Sequence, residues 1–259
     1  MKLFFRRFGN GNPLIILHGL FGISDNWVSI GKRLAENFTV YIPDLRNHGQ
    51  SPHSMLFNFP ALVEDLLEFT EDNDLENIIL IGHSLGGIIS MHFALQHSSI
   101  IKKIVVVDIS LRKYQNYDDH RQILDAMLGV DFSSVLKRSD IDQQLMQRIP
   151  SPRLRHFILK NAYWRDKDNL DWRLNLAALN ENLPLIYENT TEEDKFSGPA
   201  LFIRGGLSDY IRDEDLKEIY KKFPRAELLT IPKASHWVHA DAPEEFLDIV
   251  SRFLLPHAV

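Results

Sequence analysis

Residues 78–87 read IILIGHSLGG, a stretch that runs from an apolar segment directly into a serine flanked by glycines. The β-branched residues before Gly82 are typical of a buried strand, and the apolar positions after Ser84 are typical of a buried helix. Glycine has no Cβ atom, so Gly82 and Gly86 allow the backbone to turn sharply between the two elements. This G-x-S-x-G pattern predicts that Ser84 is held on a strained strand-to-helix turn.

A serine on such a turn is typical of a nucleophile in acyl transfer. The helix after it directs its N-terminal amides at an oxyanion that forms beside the serine. An early apolar strand is followed by the loop HGLFG at residues 18–22. Oxyanion holes of this architecture combine the amide after the nucleophile with one from such a loop. We therefore predict Leu85 and Leu20 as the donors, with Phe21 as the alternative to Leu20.

Composition favours small-molecule chemistry. The chain has 259 residues, 44% of them hydrophobic, which is enough for the full core of one α/β domain with an insertion. A net charge of -6 argues against general binding to nucleic acid or to an anionic membrane. The chain has no cysteine, which excludes disulfides and thiolate nucleophiles.

The distribution of apolar residues along the chain indicates where the protein is located in the cell. Basic residues interrupt the apolar start of the chain, and no run has the length of a transmembrane segment. We expect a cytoplasmic protein with no membrane partner, present as a monomer or a homodimer.

The order of apolar runs predicts the fold. Strand-like and helix-like segments alternate up to about residue 110 and again after residue 197, which is typical of a mostly parallel sheet with helices on both faces. Between them, residues 111–196 show short helical pieces, proline breaks and no strand-like run. We predict an α/β core formed by 1–110 and 197–259 with an inserted helical cap at 111–196.

The cap has an unusual local charge. Residues 148–173 contain seven Lys and Arg against three Asp, interleaved with aromatic residues. One interpretation is a lid whose basic residues meet an anionic part of the substrate while aromatic residues line an acyl pocket. The aromatic residues predicted to line this pocket, from the cap and from the core, are Phe21, Tyr163, Trp164, Trp172 and Trp237. The alternative is that the charges are solvated and the cap aromatics pack in the cap's own core.

A serine hydroxyl needs a base, and in chains that present the serine on this strand-to-helix turn the base follows the serine. The histidines after Ser84 are His92, His97, His120, His156, His236, His239 and His257. We predict His236, because it lies in a loop after the last strand, where it would reach the sheet's C-terminal edge. The pair His236 and His239 lacks the H-E-x-x-H pattern of a zinc helix, so we predict no metal.

Two residues are candidates for the acid that orients the base. Asp209 follows the penultimate strand, and Asp108 ends the strand after the serine motif. Both positions face the predicted site. Either residue could instead be a helix cap or a turn residue.

Several motifs together resemble the α/β-hydrolase superfamily and, more narrowly, the YbfF-type esterases and their abhydrolase-domain relatives. They are HGLFG at 18–22, DLRNHGQSP at 44–52, GHSLGG at 82–87, VDIS at 107–110 and HWVHAD at 236–241. The resemblance implies that the acid lies at the strand end after the serine motif, which favours Asp108 over Asp209. One departure is Ser235, where glycine is usual before the histidine.

The resemblance implies hydrolysis of small carboxylic esters and of acyl-thioesters through an acyl-serine, without a cofactor. The basic, aromatic cap would suit a thioester on a phosphate-bearing carrier. Other possibilities on the same fold are a serine-dependent C–C hydrolase and a cofactor-free peroxidase. A ligand-binding homologue without catalysis is a further alternative, because fold does not imply function.

Overall fold

The computed structural model describes residues 1–114, 118–186 and 194–255, so His257 lies outside the described residues. Nine strands occur in these ranges: β1 (Phe5–Phe8), β2 (Asn12–Leu17), β3 (Phe38–Pro43), β4 (Ile78–His83), β5 (Ile101–Val107), β6 (Ala162–Trp164), β7 (Leu170–Trp172), β8 (Ala200–Gly205) and β9 (Ala226–Ile231). The α-helices described are α1 (Val28–Leu34), α2 (Phe59–Asp72), α3 (Leu85–Gln96), α4 (Asp118–Leu128), α5 (Arg138–Met146), α6 (Pro152–Leu159), α7 (Leu176–Asn182), α8 (Leu216–Lys222), α9 (Val238–Asp241) and α10 (Pro243–Leu254).

Seven strands form one sheet in the order β1-β3-β2-β4-β5-β8-β9. Only β1 is antiparallel to its neighbour; all other pairs are parallel. The α/β fold predicted from the sequence is confirmed. Parallel strands all end at one edge, so the loops after β2, β4, β5, β8 and β9 meet there, which is where α/β proteins build their sites.

Both faces of the sheet are covered, as the continuous apolar strands predicted. Successive residues of β4 point to opposite faces, so Leu80 joins the core beneath α2 and α3, while Ile81 joins the core beneath α1 and α10. Every residue of β4 is buried. The strand that presents Ser84 is therefore fixed from both sides.

Between β5 and β8 the chain leaves the sheet and forms α4 to α7 with a small hairpin, β6–β7. The prediction that residues 111–196 contain no strand was wrong at this hairpin. Its strands have three residues each, too short for a visible alternation. The turn is closed by the Asp166 carboxylate, which accepts hydrogen bonds from the amides of Asp168 and Asn169 at 3.0 and 2.9 Å.

Gly82 allows the close contact between β4 and α3. A Cβ atom added at Gly82 would overlap the carbonyl group of Gly86 and the hydroxyl of Ser90. We expect Gly82→Ala to lower the free energy of unfolding by about 1–3 kcal/mol, the usual cost of overpacking. Urea unfolding measures this.

The matched control is Gly129→Ala, because Gly129 is exposed and its added Cβ would come no closer than 3.2 Å to another atom. We expect this variant to change the stability by less than about 1 kcal/mol. Equal effects of the two variants would contradict the packing argument at Gly82.

Candidate active site

Ser84 lies between the end of β4 and the start of α3, with φ 52° and ψ −119°. A non-glycine residue with this backbone is strained and persists only where the surrounding structure holds it. Its amide donates to the Val107 carbonyl at 3.1 Å, and its carbonyl accepts from the amide of Ile88 at 3.0 Å. Bonds to β5 and to the first turn of α3 thus hold the strained geometry that the G-x-S-x-G motif predicts.

His236 and Asp108 are brought together from distant parts of the chain. The Nδ1 atom of His236 lies 2.8 Å from Oδ2 of Asp108, whose side chain is fully buried. Since a carboxylate only accepts, Nδ1 carries the proton and Nε2 is left as the acceptor in the neutral ring. This is the tautomer that a general base needs.

The end of β8 and the loop after it bind the same carboxylate. The amide of Gly205 donates to Oδ1 of Asp108 at 2.9 Å, and the hydroxyl of Ser208 donates to Oδ2. Asp209 points away, because its side chain is 79% exposed and pairs with Arg212 at 3.1 Å. The structure thus brings Asp108, and not Asp209, to His236.

Two further contacts hold His236, and both were missed by the sequence analysis. The Tyr210 ring stacks on the His236 imidazole with centroids 3.8 Å apart, and the His83 Nε2 atom lies 2.9 Å from the His236 carbonyl oxygen. The loop GGLSDY at 205–210 was noticed only for its acid. Its glycine and hydroxyl residues, typical of a turn that binds a carboxylate, were the available signal. Ser235, the departure from the family pattern, donates from its amide to Asp241 at 2.8 Å.

Two buried histidines support the loop after β2. His18 accepts a hydrogen bond from the amide of Leu45 at 3.0 Å, and His48 accepts one from the amide of Phe21 at 3.3 Å. The other ring nitrogen of each histidine lies within 2.9 Å of a backbone carbonyl oxygen. Phe21 has φ 61°, so the loop turns sharply at this residue.

These contacts show which of the candidate oxyanion donors still has a free amide. The Phe21 amide is already engaged by His48. Within the described chain the Leu20 amide donates no hydrogen bond, and Leu85 is the first residue of α3, where amides have no partner within the helix. The amides of Leu20 and Leu85 therefore remain available to a ligand at Ser84.

Ser84 and His236 line one cavity of about 240 Å³. Phe21 and Trp237 also line it, as predicted for the pocket. The described residues around it include no Asp or Glu, and they include two cations from the 148–173 cluster, Arg153 and Lys160. Arg153 forms an ion pair with Asp241.

The prediction that Tyr163, Trp164 and Trp172 line the pocket was wrong, because the structure places these three side chains elsewhere. Trp172 is buried and donates from its ring nitrogen to the Met127 carbonyl at 3.1 Å. Tyr163 packs beneath the Arg173 guanidinium at 4.8 Å, and Trp164 is 47% exposed. The sequence could not distinguish the cap's own core from the cavity wall, because both need aromatic residues.

No metal site emerges from the described residues, in which no group of three or more His, Asp or Glu side chains could hold an ion. His239 instead stacks on Trp27 with ring centroids 3.8 Å apart. None of the described helices is long and apolar enough to cross a membrane.

Burial keeps five histidines near the site neutral. It lowers the pKa of His18 and of His120 to about 4, and that of His48 and of His239 to about 3. The pKa of His83 is also lowered well below its usual value, by burial first and then by the neighbouring His236. These rings act as hydrogen-bonding and packing groups at neutral pH.

Comparisons with known proteins agree with this architecture. The family model described as alpha/beta hydrolase fold matches residues 12–243. A solved structure titled marine microorganism esterase superposes with a TM-score of 0.95 and 41% identity, covering 98% of this chain and 99% of that one. Esterase YbfF of Escherichia coli (strain K12) is 31% identical over 95% of this chain and 94% of its own. The sn-1-specific diacylglycerol lipase ABHD11 of Danio rerio is 35% identical over 96% of this chain and 80% of its own.

The buried neutral histidines predict the pH dependence of stability. Unfolding restores a pKa of about 6.5, so between about pH 6.5 and 4 the unfolded chain binds more protons than the folded chain. The free energy of unfolding therefore falls as the pH falls, by on the order of 1 kcal/mol per pH unit for each such histidine. Urea unfolding at several pH values from 7.5 to 5 measures this slope.

His48→Gln should reduce the slope of the unfolding free energy against pH by the contribution of one proton, about 1 kcal/mol per pH unit. The glutamine amide can accept the hydrogen bond from the Phe21 amide but cannot titrate. A wild-type stability that stays flat or rises from pH 6.5 to 5 would overturn the assignment of neutral buried rings.

Proposed function

Because the chain belongs to the α/β-hydrolase family, we propose that it is a serine esterase that hydrolyses carboxylic esters through an acyl-enzyme on Ser84. The observation that carries the proposal is the 2.8 Å hydrogen bond between His236 and the buried Asp108, beside a cavity that Ser84 also lines. Esterase and lipase names among its relatives support the same reaction class.

The proposed roles follow from the hydrogen-bonding capacity of each group. His236 takes the proton from the Ser84 hydroxyl as the oxygen attacks the ester carbonyl, and Asp108 orients the ring and stabilises the imidazolium. His236 then gives the proton to the leaving alcohol. A water molecule, activated by the same ring, hydrolyses the acyl-serine and regenerates Ser84.

The oxyanion is assigned to the amides of Leu20 and Leu85. Both are free of other hydrogen bonds within the described chain, and the positive end of α3 lies at the same place. Backbone donors held in position before the reaction need no rearrangement as charge develops. His18 and His48 are proposed as positioning residues for this loop.

Residues 111–196 are proposed as a lid over a core made of 1–110 and 197–259. Three contacts support this division. Asn161 donates to the Phe21 carbonyl at 2.8 Å, Arg153 pairs with Asp241, and the Phe157 ring lies 5.8 Å from that of Trp237. Each contact joins a residue of the insertion to a segment of the core beside the site.

An acyl-thioester on a phosphate-bearing carrier is the second substrate class that we propose. The cavity wall supports it, because its only described charged side chains are the cations Lys160 and Arg153, the second of which is paired with Asp241. Opposite charge at the mouth of a cleft draws an anionic substrate towards it.

Replacing each candidate acid by asparagine should show which of Asp108 and Asp209 orients His236. Asp108→Asn removes the acceptor that fixes the His236 tautomer, so we expect kcat for p-nitrophenyl acetate to fall by about 10³–10⁴-fold. Asp209→Asn, at an exposed residue whose one ion pair within the described chain is with Arg212, should change kcat less than about twofold. The reverse ranking, with both variants folded, would refute the assigned roles.

The positive charge of Lys160 in the cavity wall leads to a second prediction. Lys160→Gln should raise KM for acetyl-phosphopantetheine by about two- to fivefold, since one exposed charge contact is worth up to about 1 kcal/mol. The neutral thioester S-acetyl-N-acetylcysteamine should be unaffected. Lys167→Gln, outside the described wall of the cavity, is the control. Equal effects on both thioesters would contradict an anion-binding role for Lys160.

A further inference from the structure

A second, smaller cavity of about 20 Å³ also opens onto Ser84. The two cavities share Leu20, Ser84 and His120 in their walls, so the serine lies where they meet. The described residues that line only the small cavity are Leu85, Ile88, Ile109, Tyr114, Ile186 and Tyr210. The space on one side of Ser84 is therefore large, and the space on the other side is small and apolar.

The two sides differ in their access to the base. His236 lines the large cavity but not the small one. Tyr210, which stacks on the His236 ring, forms part of the small cavity's wall. A group in the small cavity therefore faces the tyrosine and not the imidazole nitrogen.

Proton transfer decides which part of an ester occupies each side. As the C–O bond to the alcohol breaks, the leaving oxygen must receive the proton that His236 took from Ser84. The leaving group must then extend into the cavity that His236 lines. The acyl group, on the other side of the carbonyl carbon, points into the small cavity.

From this division we infer that the enzyme is specific for short acyl groups, of two or three carbons, carried on a larger leaving group. The inference rests on the proposed esterase function. A space of about 20 Å³ holds about one water-sized group, which is the size of the acetyl methyl. A longer chain must displace buried side chains, and close-packed interiors resist this. Ile88, at 4% exposure on α3, limits the length of the acyl group.

The first test is the hydrolysis of p-nitrophenyl esters from acetate to octanoate by the wild-type protein. We expect kcat/KM for the acetate or propionate to exceed that for the octanoate by at least about tenfold, the ratio given by 1.4 kcal/mol of lost transition-state binding. Turnover that rises with chain length would overturn this inference and leave the esterase proposal standing. No turnover of any ester by folded protein would instead overturn the esterase proposal itself.

The second test is a matched pair of variants. Ile88→Ala removes three carbons from the small cavity, so we expect kcat/KM for p-nitrophenyl pentanoate relative to the acetate to rise about tenfold. Ile123→Ala makes the same deletion in the large cavity and should leave this acyl ratio unchanged. An effect of Ile123→Ala alone would reverse the assignment of the two sides.

Folding of each variant is checked by circular dichroism and thermal unfolding. Should Ile88→Ala fail to fold, Ile109→Ala enlarges the same cavity from the loop after β5. We expect the same shift towards the pentanoate. An unchanged acyl ratio in a folded small-cavity variant would contradict the inference.

Discussion

The buried carboxylate of Asp108 holds the candidate active site together. It accepts hydrogen bonds from the backbone of Gly205, the hydroxyl of Ser208 and the ring of His236, so it joins the ends of β5 and β8 to the loop after β9. A buried carboxylate that loses its partners carries a large desolvation cost. The three loops are therefore held in one arrangement, and the imidazole is kept in one tautomer.

Neutral histidines provide a second layer of support beneath the loop after β2. His18 and His48 each use both ring nitrogens on backbone groups, which a protonated ring could not do because it has no acceptor. The loop 44–52 contributes further contacts. Asp44 accepts from the amides of Ser24 and Gln50, at 2.6 and 2.8 Å. The polar residues of this loop thus brace the backbone that would hold the oxyanion.

Much of this arrangement could be predicted from sequence, because the strongest signals are local. The G-x-S-x-G turn, the apolar strands and the order of elements each depend on neighbouring residues, and the observed backbone at Ser84 agrees with them. The choice between Asp108 and Asp209 needed the family resemblance, since both follow a strand that ends at the same edge. The stacking of Tyr210 on His236 depends on packing between distant segments, which no local pattern reports. The same limit explains Trp172, whose aromatic character fits a core and a pocket equally well. Tyr163 and Trp164 belong to neither, since Trp164 is 47% exposed and Tyr163 is not part of the buried core.

The central claim is that Ser84 is a nucleophile activated by His236, and covalent labelling tests it most directly. Intact-mass spectrometry after incubation with a fluorophosphonate should show one adduct on the wild-type protein and peptide mapping should locate it on Ser84. Ser84→Ala should show no adduct, and His236→Ala should label at least about a hundredfold more slowly because the base is lost. Folded wild-type protein that stays unmodified, or an adduct that persists in Ser84→Ala, would contradict the account.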